Sequence, residues 1–164
     1  MARVSDTELN ELAAELGEKL RARGWMLATA ESCTGGWIGQ VITAQPGSSH
    51  WYERGFITYA NIAKQEMLGV PAETLETYGA VSEETASAMA AGALEHSHAQ
   101  ATLAISGIAG PGGGTPQKPV GLVCYGWALA DGTRLSSTCR LDGDREEIRS
   151  RAVAAALRGL IDLL

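Results

Sequence analysis

The chain has little of what several function classes require. No apolar run approaches the 18 or so residues that span a bilayer, so a membrane protein is not expected. The three cysteines, Cys33, Cys124 and Cys139, are an odd, widely spaced set with no CxxC, which suits reduced thiols and fits no thiolate-rich zinc site. Histidine is equally sparse: His50 is isolated, and His96 and His98 are two apart on a predicted helix, where they point to different faces. With no HExxH or paired ligand spacing, no metal is expected. Basic residues are in deficit, 13 Lys+Arg against 19 Asp+Glu, so the net charge of -6 lacks the excess that binds nucleic-acid phosphates, and no nucleic-acid partner is expected. Trp25, Trp37, Trp51 and Trp127 form no basic-aromatic stripe and read as core or interface residues. The amino-terminal stretch has no cationic segment followed by an apolar core and cleavage site, so the expected location is the cytoplasm.

What remains is globular. At 164 residues, with 45% hydrophobic and 20% charged, the chain reads as one soluble domain over residues 1–164, without internal repeat or linker. Its 20 glycines exceed the usual share of about 7%, and the excess falls in a few short stretches, where chemistry is to be sought.

Ser5 to Glu8 is a capping-box sequence, and Leu9, Leu12, Leu16 and Leu20 follow at helical spacing until Gly24. Met26 to Ala30 reads as a buried strand and 35–44 as a helix ended by Pro46 and Gly47. Phe56 to Tyr59 reads as a strand, Asn61 as the cap of a helix through Met67, and Ser82 as the cap of an Ala-rich helix to about His96. Ala101 to Ser106 is a third strand. Residues 106–121 are too rich in Gly and Pro for a regular element. Segments 120–130 and 134–141 flank Asp131-Gly132, a hairpin signal, and a last helix starts near Arg145. This alternation predicts an α/β fold: a three-layer α/β/α domain with a mixed sheet.

Four stretches carry candidate chemistry. ATAESCTGGW, residues 28–37, places Ser32, Cys33 and Thr34 at a strand-to-helix turn before Gly35 and Gly36. Amides at such a turn receive an anion or oxyanion, and glycines admit close approach of a substrate. On residue type alone, Ser32 or Thr34 serves equally as a helix cap, and Cys33 is a rival nucleophile because a helix start lowers a thiol pKa. Tyr59 and Lys64 lie five apart across a second strand-to-helix junction. With Asn61 as the cap, Lys64 is the third helical residue, where the helix dipole disfavours an ammonium ion. An ordinary lysine is neutral only about 0.04% of the time at pH 7, too little for a general base; the alternative is a solvated lysine beside Glu66. SGIAGPGGG, from Ser106 through Gly107, Ala109 and Gly110, lacks the endings of a P-loop or dinucleotide turn, and reads as an anion nest or a disordered loop. Arg145 stands at a helix start, facing an anionic ligand or pairing with Asp142 or Asp144.

Taken in order, AESCTGG, GSSHWYERGFITYANIAKQEMLGV, GAVSEETA, SGIAGPGGG with KPVG, and GDRE resemble the C-terminal domain of the competence/damage-inducible CinA proteins, a family with stand-alone nicotinamide-mononucleotide deamidases. The resemblance spans nearly the whole chain but only this domain, so no activity of the longer members' N-terminal domain is carried over. It implies a serine amidohydrolase with a Ser/Lys pair: Ser32 as nucleophile, Lys64 as base, and Tyr59 positioning the lysine or relaying its proton. It also implies substrate contacts from Thr34, Gly35, Gly36, Ser106, Gly107, Ala109, Gly110 and Arg145, the last with the Gly-rich loop receiving a 5'-phosphate. The implied reaction converts nicotinamide mononucleotide to nicotinic acid mononucleotide and ammonia through an acyl-serine, with no cofactor and in a homo-oligomer. The alternative is a nucleotide-binding module without catalysis.

Overall fold

The computed structural model describes residues 2–164. Ser5 caps α1 (Asp6–Arg23) by accepting from the Glu8 amide, and Gly24 closes it in the left-handed conformation, both as the sequence indicates. Then follow β1 (Leu27–Glu31), α2 (Trp37–Thr43), β2 (Tyr52–Ile57), α3 (Asn61–Leu68), α4 (Ala72–Tyr78), α5 (Glu83–Glu95), β3 (Ala101–Gly107), β4 (Leu122–Leu129), β5 (Arg134–Arg140) and α6 (Arg145–Leu163).

The five strands form one mixed sheet in the order β2-β1-β3-β4-β5, with β1 parallel to β2 and β3, and β4 antiparallel to both its neighbours. The two sheet faces differ in side-chain size. One presents Leu27, Leu103, Ile105, Val123, Tyr125 and Trp127, which pack with Leu9, Leu16, Leu20, Ile38, Val153, Leu157 and Leu160 of α1, α2 and α6 into the main core. The other presents Ala30 paired with Ala104, itself opposite Gly126, with Ala128 beside them. Small residues there let α5 lie close against the sheet: a Cβ on Gly126 would stand 2.3 Å from the Ala86 carbonyl oxygen. Thr102 Oγ1, on the same face, donates to the Ala90 carbonyl of α5 at 2.8 Å. Helices thus cover both faces, giving the three-layer α/β/α arrangement.

Several boundaries differ from the sequence reading. β2 begins at Tyr52 and ends at Ile57, earlier than 56–59, because it is an edge strand whose half-exposed Tyr-Glu-Arg-Gly start carries no apolar run. The seven-residue α4 has a single buried side chain, Leu75, too little periodicity to read. Asn61 is the first residue of α3; the cap is Ala60, which offers no side-chain acceptor, and Lys64 is therefore the fourth helical residue. α2 starts at Trp37, two residues later than expected, and neither Ser32 nor Thr34 caps it. Residues 108–121 form a tied loop, with Ile108 donating to the Leu122 carbonyl at 2.9 Å and accepting from the Gly121 amide at 2.7 Å. No helix among the described residues is long and apolar enough to cross a membrane.

Candidate active site

In a doubly wound sheet the crevice opens at the carboxyl ends of the strands where the chain reverses its direction of winding. Here the chain passes from β1 to one neighbour, β2, then crosses to the other, β3, so that point lies beyond the end of β1. Three segments leave the sheet there: Ser32 follows β1, Thr58 and Tyr59 follow β2, and Ser106 and Gly107 end β3.

They converge on a cavity of about 180 Å³ lined by Ser32, Cys33, Tyr59, Lys64, Ala80, Val81, Ser106, Gly107, Ala109 and Arg145. Lys64 is 1% exposed. Its Nζ stands 3.0 Å from Ser32 Oγ, 2.8 Å from the Thr58 carbonyl oxygen and 3.0 Å from that of Tyr59. As an ammonium, it donates to all three; as a neutral amine, its two N–H groups satisfy the carbonyls and its lone pair accepts the Ser32 hydroxyl proton. Burial pushes the Lys64 pKa below its ordinary value, the buried Cys33 opposing weakly. No ion pair among the described residues includes Lys64, so no carboxylate stabilises its charged form.

Glu31, 2% exposed, holds the turn that carries Ser32. Its Oε1 accepts from Thr34 Oγ1 at 2.6 Å and from the Ile38 amide at 2.9 Å, and its Oε2 from the Gly39 amide at 3.1 Å. A carboxylate at the end of a strand therefore satisfies the first turn of α2 and complements its dipole. Between them the chain reverses through Gly35 and Gly36, both with positive φ, and a Cβ on Gly36 would stand 3.0 Å from Ile57 Cδ1. Backbone conformation, not an approaching ligand, is what requires these glycines, since neither lines the cavity.

Cys33 is 7% exposed, and burial pushes its thiol up to about 12, the nearby Arg149 opposing. Desolvation outweighs the expected lowering, which removes the thiol as a rival nucleophile at neutral pH. A larger open cleft of about 720 Å³ shares Val81 with the cavity, and two of its three charged side chains have partners: Glu83 accepts from the Ser136 and Thr138 hydroxyls, and Lys118 donates to the Tyr78 carbonyl. The hydroxyl–amine contact between Ser32 and the buried Lys64 lies in the smaller cavity.

The CinA C-terminal domain model matches residues 9–164. The chain belongs to the CinA C-terminal domain family. It is 49% identical over 157 residues to the nicotinamide-nucleotide amidohydrolase PncC of Escherichia coli strain K12, covering 96% of this chain and 95% of that protein. A CinA-like protein of Mycolicibacterium gilvum is 52% identical over 134 residues, 82% of this chain and 32% of that longer one. Among solved structures, the competence/damage inducible protein CihA of Agrobacterium tumefaciens superposes with a TM-score of 0.93 at 47% identity, covering 99% of this chain and 98% of that one.

Of the positions that the CinA resemblance singles out, Ser32, Tyr59, Lys64, Ser106, Gly107, Ala109 and Arg145 line the cavity, whereas Thr34, Gly35, Gly36 and Gly110 are not among its lining residues. Tyr59 touches Lys64 through its main-chain carbonyl; its side chain is 65% exposed at the mouth. Arg145 pairs with neither Asp142 nor Asp144: its Nη1 donates to the Gly110 carbonyl at 2.8 Å, and Asp144 caps α6 instead. Sequence reasoning missed Glu31, Ala80, Val81 and Arg149. Signals existed for them, since Glu31 stands in AESCTGG, Ala80 and Val81 in GAVSEETA, and Arg149 one helical turn beyond Arg145.

Proposed function

We propose that the protein is a serine amidohydrolase that converts nicotinamide mononucleotide to nicotinic acid mononucleotide and ammonia. The observation that carries this reading is the buried Lys64 amine 3.0 Å from Ser32 Oγ with no carboxylate to keep it charged. A serine hydroxyl is a weak nucleophile until a neighbouring base takes its proton, and a lysine becomes that base when burial lowers its pKa. The naming of the close relatives as nicotinamide-nucleotide amidohydrolases supports the substrate class.

Neutral Lys64 accepts the Ser32 proton as Oγ attacks the carboxamide carbon, and the carbonyl oxygen takes the displaced electron pair. The carbon–nitrogen bond then breaks, ammonia leaves with the proton returned by Lys64, and an acyl-serine remains. Water, deprotonated by the same amine, adds to the ester; its carbon–oxygen bond to Ser32 breaks as Lys64 returns the proton to Oγ, and the product acid gives up its own proton to solvent and leaves as the carboxylate. Tyr59 holds the amine through its carbonyl, which leaves the lone pair aimed at Ser32. Ser106, which lines the cavity and whose hydroxyl has no hydrogen bond among the described residues, and Gly107 with Ala109 contact the substrate. Arg145, with N–H groups to spare beyond its Gly110 contact, receives the 5'-phosphate. The positive pyridinium of the nucleotide makes its carboxamide more electrophilic than that of free nicotinamide, and a neutral Lys64 avoids repelling it.

The test is ammonia release from nicotinamide mononucleotide by the purified protein in the presence of a chelator, beside Ser32→Ala. Release by the native protein, none by a folded Ser32→Ala, and a rate that rises with pH to a plateau reached below the ordinary lysine range are the expected results. Ligand-induced stabilisation without any product would replace catalysis by a binding role.

A further inference from the structure

Arg149 does not line the cavity, yet its guanidinium is bound to the main chain of the turn that carries Ser32. Its Nε donates to the Cys33 carbonyl at 3.0 Å and its Nη2 to the Thr34 carbonyl at 3.2 Å. The guanidinium carbon lies 5.4 Å from the centroid of Trp37, whose ring Arg3 also contacts at 5.0 Å. The side chain is thus held as a fork against two successive peptide groups, 115 and 116 residues away in the chain.

Those contacts bear on the amides. The peptide bonds of this turn are trans, so each N–H points opposite the carbonyl of its own peptide. With the Cys33 carbonyl drawn to Arg149, the Thr34 N–H is directed away from it. With the Ser32 carbonyl accepting from the Gly35 amide at 3.1 Å, the Cys33 N–H is directed away from that bond. Neither the Cys33 nor the Thr34 amide has an acceptor among the described residues, whereas the Ser32 amide is spent on the Ile105 carbonyl at 3.1 Å and the Gly35 amide on Ser32. Buried amides without partners are rare, and here two follow directly on a serine that faces a base. The residue after a nucleophile is where an oxyanion donor is found in other strand-to-helix elbows.

We infer that Arg149 is a positioning residue for the oxyanion formed when Ser32 attacks: by holding the Cys33 carbonyl it orients the Thr34 amide, and by holding the Thr34 carbonyl it fixes the Gly35 amide, whose bond to the Ser32 carbonyl in turn orients the Cys33 amide. The cation behind the Cys33–Thr34 peptide polarises it in the sense that strengthens its N–H as a donor. The inference rests on the acyl-transfer role proposed for Ser32. It does not depend on the nucleotide being the substrate.

The test uses Arg149→Ala and Arg149→Lys beside the native protein, with two acyl donors: nicotinamide mononucleotide, followed by ammonia release, and p-nitrophenyl acetate, followed by the burst of p-nitrophenolate on Ser32 acylation. Loss of an oxyanion donor costs roughly 100- to 1,000-fold in rate and its misplacement by about 1 Å up to roughly 100-fold; in Arg149→Ala the donors remain but lose their alignment, so kcat is expected to fall by roughly 10- to 100-fold with KM little changed. Arg149→Lys, which keeps the charge but not the fork, should fall between. Guanidinium at tens of millimolar should restore much of the Arg149→Ala rate with both donors, a recovery that mere loosening of the fold would not show. If the native protein is acylated by the ester but not by the nucleotide, and Arg149→Ala slows the ester, the inference stands while the substrate reading falls. Equal rates for Arg149→Ala and native protein overturn it, as does a loss seen only in KM or one that guanidinium leaves unchanged. Should Arg149→Ala not fold, full kcat in Arg149→Lys overturns it. A native protein acylated by neither donor overturns it together with the proposed function.

Discussion

Glu31→Gln is the substitution that most directly examines how Ser32, the proposed nucleophile, is held. The change is isosteric and leaves Oε1 able to accept from Thr34 Oγ1 and Ile38 N, but it sets an amide NH₂ against the Gly39 N–H that Oε2 now receives at 3.1 Å. One hydrogen bond to a charged group is lost, worth about 1.5–3 kcal/mol, and a buried donor is left without an acceptor. The negative charge at the start of α2 also disappears, a further 0.3–1 kcal/mol or so. At 2% exposure Glu31 has little access to water that would replace either. We therefore expect a loss of about 2–4 kcal/mol, and at roughly 2–4 °C per kcal/mol for a chain of this size a Tm lower by about 5–15 °C. Thermal and urea unfolding at neutral pH measure it, with circular dichroism confirming that the variant folds. Because Ser32 follows Glu31 directly, kcat should fall as well. A Gln variant within about 0.5 kcal/mol of native, the range of ordinary surface substitutions, would refute the claim that this carboxylate organises the turn.

Two further predictions concern ionisation. Lys64 has a folded pKa below its ordinary value, so between the two values the unfolded chain binds a proton that the folded chain does not, and stability attributable to Lys64 rises with pH across that interval. Urea unfolding of native protein and Lys64→Met at several values from pH 7 to 10 should show the native protein gaining relative to the variant as pH increases; a constant difference would mean that Lys64 titrates normally. The Cys33 thiol, raised to about 12 by burial, should resist alkylation by iodoacetamide at pH 8 in the folded protein, and Cys33→Ala should retain turnover. Rapid labelling of Cys33 with parallel inactivation would contradict its assignment as a buried bystander.

Much of the fold was legible because it is written in local chemistry. The Ser5 box and Gly24 stop define α1, Ser82 caps α5 by accepting from the Thr85 amide, and Asp131-Gly132 turns β4 into β5. Edge strand β2 and short α4 escaped because half-exposed or seven-residue elements leave no hydrophobic period. The same limit applied at the site. By residue type and spacing, Ser32 stood out as a cap at a turn able to receive an oxyanion and Lys64 as an ill-placed lysine; that they act as a pair was implied only by the CinA resemblance.

Their meeting, 32 residues apart in the chain, was decided by strand order, which brings the ends of β1, β2 and β3 to one crevice. Residue type and spacing determined most of the segments that become strands and helices and, where a cap or turn marks them, their ends, since caps, turns and periodicity act within a few residues. They did not determine that Lys64 loses its water, that Cys33 rises out of reach as a nucleophile, or that Arg149 reaches back across 116 residues to the Cys33 carbonyl. Desolvation and long-range hydrogen bonds arise only when distant elements pack against one another, so the protonation states and orientations on which the chemistry depends belong to the tertiary structure.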